Sequence, residues 1–239
     1  MTLKTHNRYI VIEGIDGSGK DTLVDHLWQH LILDTWISTA EPAHTSRWRE
    51  DSPILRSVAE QTATAEAMNA LHDAIRVLLR TGVVSPSAFD RWSRTNMLSA
   101  MFLENRMLQD TLVSVASSAL ARPVHRVQVR SFISTAVYNH PNDVDGALDR
   151  CLRYGISHPT DVVFLDIDPA EAAARITKRG SANEVFEASD RLSSQRGCYR
   201  QARAWLSTHA PDIRWHDVVV TRADTHDSVT RRVRNVIGV

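Results

Sequence analysis

The segment Ile12-Glu13-Gly14-Ile15-Asp16-Gly17-Ser18-Gly19-Lys20-Asp21-Thr22 holds the residues best suited to chemistry. Gly14, Gly19 and Lys20 have the spacing G-x-x-x-x-G-K. A polyphosphate needs many donors at close range, and only a backbone poor in side chains lets its oxygens reach the peptide N–H groups. A lysine closing such a loop places a mobile positive charge on the β and γ oxygens, where charge shifts during transfer. The spacing alone is a weak signal; its setting gives it weight. An apolar strand, Tyr9-Ile10-Val11-Ile12, enters the loop, and a helical stretch, Thr22-Leu23-Val24-Asp25-His26-Leu27-Trp28, leaves it. Three of the nine glycines of the chain lie here. The segment predicts a nucleoside-triphosphate site, with ATP held by Gly14, Asp16, Gly17, Ser18, Gly19, Lys20, Asp21 and Thr22.

Other residues could complete that chemistry. Arg130 ends the third expected strand, beside the phosphate loop in an open α/β sheet, where ligands gather. A planar guanidinium can hold an acceptor phosphate in two-point fashion while one oxygen attacks in line; the plainer alternative is a surface arginine at a strand end. Phe102 and Arg106 lie four apart and so share a helical face, with Phe102 either a platform for a base or core packing. Ser134, Thr135 and Tyr138 follow Arg130 on the next helical turns. Arg175, Lys178, Arg179 and Arg191 could neutralise charge once a lid excludes water, or could be a solvated basic helix end.

The elements that must position these groups alternate between strand and helix, the pattern of a parallel sheet wrapped by helices. Strands are expected near Arg8–Glu13, Trp36–Ala40, Val127–Arg130, Val162–Ile167 and Trp215–Thr221. Each is a short, apolar, β-branched run, as suits a strand covered on both faces. Ser85-Pro86 opens a long helix toward Leu120. Asp168-Pro169 opens another, stopped by Gly180, and Thr225 begins a final amphipathic helix. The stretch 46–72 is an insertion of mixed helical character with no clear face. The chain of 239 residues reads as one domain, 1–239, with a lid at about 178–196.

Composition narrows the class. Hydrophobic content of 43% and charged content of 23% are those of a globular protein. No apolar run is long enough to span a bilayer, and the first residues lack the apolar core of a secretory signal. Two cysteines make neither a disulfide framework nor a metal-ligand set, so a reducing cytoplasm is expected. The formal net charge of zero gives no global pull toward nucleic acid.

Five blocks in order resemble the thymidylate kinase family, within the nucleoside-monophosphate-kinase-like group. Ile12–Thr22 is similar to I-E-G-x-D-G-x-G-K-S-T, and Thr39-Ala40-Glu41-Pro42-Ala43-His44-Thr45 to T-R-E-P-G-G-T. Phe102-Leu103-Glu104-Asn105-Arg106 resembles F-A-A-D-R, and Val129–Tyr138 resembles D-R-Y-x-x-S-x-x-A-Y. Pro159–Glu171 is similar to P-D-x-x-x-x-L-D-V-D-P-E. The resemblance implies a P-loop kinase fold with a five-stranded parallel sheet, and ATP-dependent phosphorylation of a pyrimidine deoxynucleoside monophosphate, dTMP to dTDP. It implies substrate contacts from Glu41, Phe102, Arg106, Arg130, Ser134, Thr135 and Tyr138, with Phe102 stacked on the pyrimidine and Tyr138 under the sugar. It implies Lys20, Arg130 and Arg179 as catalytic groups, Arg175 over ATP, Mg2+ as cofactor, and a homodimer through the long helices.

Three residues depart from the family's pattern. Val129 replaces a strand-end aspartate, Ala40 an arginine, and Asp21 the Ser/Thr whose hydroxyl ordinarily ligates Mg2+. The metal is therefore expected at Asp16 and Asp21. The same departures raise an alternative acceptor, a modified pyrimidine such as 5-hydroxymethyluracil, free or within DNA, with Arg47, Arg49, Arg91 and Arg94 as a basic strip. A lesser alternative is a non-catalytic nucleotide-binding module, against which Lys20 and Arg130 argue.

Overall fold

All five apolar runs form strands in the computed structural model, which describes residues 7–31, 36–39, 81–83, 123–153, 157–180 and 189–239. In chain order the described elements are β1 (Tyr9–Glu13), α1 (Lys20–Trp28), β2 (Trp36–Thr39), β3 (His125–Val129), α2 (Phe132–Asn139) and α3 (Val144–Arg153). They continue with β4 (Asp161–Ile167), α4 (Pro169–Lys178), α5 (Ser189–His209), β5 (Arg214–Val220) and α6 (His226–Ile237). The strands form one parallel sheet in the order β2-β3-β1-β4-β5. The five-stranded parallel sheet flanked by helices agrees with the fold read from the sequence.

β1 lies at the centre of the sheet, and its five residues are all buried. That explains why it reads as a continuous apolar run rather than an alternating one. Its neighbours meet it in register at Ile12↔Val129 and Ile12↔Val163, so the carboxyl ends of β1, β3 and β4 lie side by side. The helices pack in two groups. α1 contacts α6, while α2, α3 and α4 all contact α5. α5 buries Leu192, Cys198, Tyr199, Ala202 and Leu206, a seam at helical spacing.

The helix ends follow their sequence signals. Asp168 caps α4 by accepting from the N–H groups of Ala170 and Glu171, with Pro169 in the first turn. Thr225 caps α6 by accepting from Ser228, and Gly238 closes it in the left-handed region. Two helices go beyond the sequence reading: α3, and the 21-residue α5 that begins inside the expected lid. Of the stretch 178–196, Lys178 ends α4, residues 189–196 start α5, and Leu192 there is fully buried.

At the opposite, amino-terminal edge of the sheet, Asp161 ties three strands together. Its carboxylate, 1% exposed, accepts from Thr160 at 2.9 Å, Arg214 at 2.8 Å, Arg8 at 3.3 Å and His216 at 3.0 Å. Burial pushes the Asp161 carboxyl up, but the bonds from His216, Arg214 and Thr160 outweigh it and hold the group below the usual carboxylate range.

Candidate active site

The phosphate loop takes the shape its glycines permit. Gly14, Gly17 and Gly19 have φ of 150°, 79° and 90°. At Gly17 the requirement is double, because a Cβ would also sit 2.6 Å from the carbonyl oxygen of Ala172 in α4. The loop thus rests directly on α4. Gly19 stands at the N-terminus of α1 with no side-chain cap, so the first-turn N–H groups suit an anion. Lys20 is 5% exposed and folds over its own loop, donating to the carbonyls of Gly14 at 2.8 Å and Ile15 at 2.9 Å. Asp21 is exposed on the first turn of α1 and Thr22 is half-buried.

Arg130 is brought to this loop by an unusual backbone. It is the one non-glycine with positive φ among the described residues, at 63°, a conformation that costs an ordinary L-residue about 1–2 kcal/mol. The peptide groups on either side of it are both held. Its N–H donates to Ile12 O at 2.9 Å, and its carbonyl accepts from Gln128 Nε2 at 2.8 Å. The guanidinium forms an ion pair with Asp16 Oδ1 and lies 4.5 Å from the centre of the Tyr138 ring. Lys20 Nζ is 3.9 Å from the same Asp16 oxygen. Strain of this kind persists where the surroundings over-determine it, commonly at functional sites.

Beneath Arg130 lies a group to which the sequence assigns no role. Glu13 ends β1 with no solvent exposure. Its Oε1 accepts from the Ser131 N–H at 2.7 Å and the Ser131 hydroxyl at 2.6 Å. Its Oε2 accepts from Ser134 at 2.5 Å and from Tyr199 at 3.0 Å. Burial, then the negative charge of Glu13, push the Tyr199 phenol well above its ordinary range, so it stays a donor. The one signal that could have found Glu13 is a carboxylate closing an otherwise apolar central strand. Tyr199 could not be found, because only the fold brings α5 back over β1.

Ser134, expected on the substrate, is 4% exposed, and its hydroxyl bonds Glu13 and lies 2.8 Å from the Tyr199 oxygen. Thr135 is buried on the same helix, and the Tyr138 ring lies beside the Arg130 guanidinium.

Arg175 and Arg179, the arginines expected near ATP, lie on α4 and at its C-terminal end. Arg175 and Arg179 follow Ala172 by three and seven residues, on the side of the helix that carries the loop contact at Gly17. Arg175 donates to Glu171 at 3.1 Å and to the Thr221 carbonyl at 3.1 Å, which fixes it at the end of β5. Arg179 is exposed at the end of α4. A further cation comes from α5: Arg196 makes a two-point ion pair with Asp166 of β4, at 2.5 and 3.0 Å. Glu41, Phe102 and Arg106, the stretch 46–72, the basic strip and the long helix carrying the expected dimer contact lie outside the described residues.

The donor set of the loop bears on the expected metal. Mg2+ is ordinarily held by one or two carboxylates, with nucleotide phosphates and waters supplying the rest. Asp16, paired with Arg130, and the exposed Asp21 are the two carboxylates that bracket the phosphate-binding turn, and among the described residues no cluster of three or more metal-binding side chains exists. Val129 is a buried apolar residue of β3, so the strand end contributes no carboxylate there.

A central strand running into a glycine loop, a lysine on that loop and an arginine from the adjacent strand end define a P-loop nucleotide kinase. The sequence profile described as Thymidylate kinase matches residues 76–209, more than half of the chain, and the chain belongs to the thymidylate kinase family. The match begins after the phosphate loop, which therefore stands on its own residues and geometry. Family membership makes the protein a phosphotransferase that uses ATP with Mg2+ on small-molecule nucleotides. Thymidylate kinases from two strains of Leptospira interrogans are 25% identical over 197 residues, covering 81% of this chain and 80% of theirs. The solved structure of thymidylate kinase from Candida albicans matches with a TM-score of 0.61 at 19% identity, over 98% of this chain and 92% of that one. No helix among the described residues is long and apolar enough to cross a membrane.

Proposed function

We propose that this chain is one P-loop kinase domain that transfers the γ-phosphoryl group of ATP to the phosphate of a pyrimidine deoxynucleoside monophosphate, dTMP first. The observation that carries the reading is Arg130: its backbone is held in a disfavoured conformation whose effect is to set a guanidinium against the phosphate loop. A planar two-point cation there suits a phosphate dianion that must face the γ-phosphorus in line.

Each residue then has a task. The loop N–H groups from Gly17 to Asp21 hold the ATP phosphates, and Lys20 leaves its carbonyl partners to follow the migrating charge. Arg130 clamps the acceptor phosphate, and Tyr138 supports the guanidinium from its other side. Arg179, joined by Arg175, neutralises the equatorial oxygens as the lid excludes water. Asp16 and Asp21 would hold Mg2+, which, when bound, would neutralise negative charge on the ATP phosphates.

The test is an ATP-consumption screen against dTMP, dUMP, 5-hydroxymethyl-dUMP, dCMP and hydroxymethyluracil-containing DNA. Turnover on a free pyrimidine monophosphate that is nearly independent of salt supports the reading. Robust turnover on DNA, falling steeply with salt as phosphate-backbone contacts require, with little on any free monophosphate, overturns it.

A further inference from the structure

We infer that Glu13 is a positioning residue for the acceptor phosphate: through Ser131 it sets the backbone turn that aims Arg130, and it touches neither substrate. The inference rests on the acceptor-clamp reading of Arg130 given above.

The geometry is one of peptide planes. A peptide unit is rigid, so fixing its N–H and its C=O fixes its plane. The unit joining Arg130 to Ser131 is held at its carbonyl by Gln128 Nε2, at 2.8 Å, and at its N–H by Glu13 Oε1, at 2.7 Å. The preceding unit is held by the bond from Arg130 N–H to Ile12 O, at 2.9 Å. The φ of Arg130 is thereby determined from outside, at 63°, where an arginine would not settle unaided. Gln128 is itself fixed, since its Oε1 accepts from Tyr9 at 2.9 Å.

Glu13 also anchors the helix that leaves the turn. Ser131 caps α2 by accepting from Ile133 N–H at 3.1 Å, while its own hydroxyl proton goes to Glu13. Ser134, one turn on, and Tyr199, from α5, hold the second carboxylate oxygen. One carboxylate therefore joins the strand entering the phosphate loop, the turn carrying Arg130 and the helix packed beneath both. Arg130 and the loop are thus held in mutual register by a group that solvent cannot reach.

Calorimetric titration of dTMP and of ATP with Glu13→Ala, in the parent and in an Arg130→Ala background, separates positioning from packing. Glu13→Ala is expected to weaken dTMP binding about tenfold or more, since misplacement by about 1 Å is that costly, while ATP affinity stays within about twofold. In the Arg130→Ala background the same change should add less than about twofold, the signature of two residues acting through one another. Glu13→Gln, whose amide can face Ser131 with its oxygen and the two hydroxyls with its nitrogen, should restore most of the affinity. If Glu13→Ala does not fold, Glu13→Asp, too short to reach both Ser131 and Tyr199, carries the same cycle. Unchanged dTMP affinity, an equal loss for ATP, or a full-sized loss without Arg130 would overturn the inference alone. Arg130→Ala binding dTMP as the parent does would overturn the clamp reading and this inference with it.

Discussion

The guanidinium of Arg130 is paired with the carboxylate of Asp16, joining the end of β3 to the middle of the phosphate loop. The two residues are 114 positions apart and come from elements that bracket the nucleotide site. Because Lys20 reaches the same carboxylate oxygen at 3.9 Å, Asp16 draws together the two cations to which the mechanism assigns phosphate binding. An incoming phosphate dianion must compete with Asp16 for both.

Arg130→Lys keeps the charge and loses the two-point geometry. Steady-state kinetics should show KM for dTMP rising and kcat falling, with kcat/KM down about 10²-fold. Arg130→Gly should be as inactive as Arg130→Ala yet melt higher than it, because both lose the Asp16 pair and only glycine is free of the left-handed strain of about 1–2 kcal/mol. Thermal melts of the two variants beside activity assays would show this; a glycine variant melting no higher than the alanine variant would contradict the strain argument.

Lys20→Ala should lower kcat by about 10²-fold or more, because the charge acts on the transferring group. The far-ultraviolet circular dichroism should be unchanged, since α1 keeps its buried Leu23, Val24, Leu27 and Trp28. A variant retaining more than about a tenth of the activity would count against the phosphate-loop assignment.

Gly17→Ala and Gly19→Ala test the loop at two positions with similar φ and different surroundings. At Gly19 an added Cβ meets nothing within 4 Å, whereas at Gly17 it meets the Ala172 carbonyl at 2.6 Å. Both carry backbone strain of about 1 kcal/mol or more. Gly17→Ala should in addition push the loop off α4, with a lower melting temperature than Gly19→Ala and loss of ATP binding by titration. Equal melting temperatures would show that the loop is not seated on α4.

Asp161 predicts an acid limb in the stability profile. Its carboxyl titrates lower in the folded protein than in the unfolded chain, so the folded state favours the charged form. The stabilisation is present in full above the unfolded value of about 3.9 and is lost as pH falls through the lower folded value. Asp161→Asn should cost about 1.5–3 kcal/mol near neutral pH, since the bonds from Thr160, Arg8, Arg214 and His216 lose their charged acceptor. Denaturant titrations of the two proteins should converge as pH drops below about 4; a gap that stays constant down to about pH 2 would refute the assignment.

Much of the fold is legible in the order of residues. The central strands can be read because they are buried on both faces, as Val162–Leu165 shows with every residue buried; the edge strand β5, exposed at Arg214, Asp217 and Val219, is read from its β-branched run Val218–Val220. The loop and the ends of α4 and α6 can be read because glycine, proline and capping residues act on their immediate neighbours. The lysine and arginine assigned to phosphate stand out for the same reason, since one closes the glycine loop and the other follows a strand that local pattern reveals. The rest depends on contacts between distant segments. The burial of Ser134 requires α5 to return over β1, and Tyr199 meets Glu13 across 186 positions. The left-handed turn at Arg130 comes from hydrogen bonds supplied by Ile12, Glu13 and Gln128, not from any preference of its own residue. Residue types chose the chemistry, because charge and hydrogen-bonding capacity are properties of single side chains. Direction and register came from the folded chain, because they are relations between side chains that only packing brings within reach.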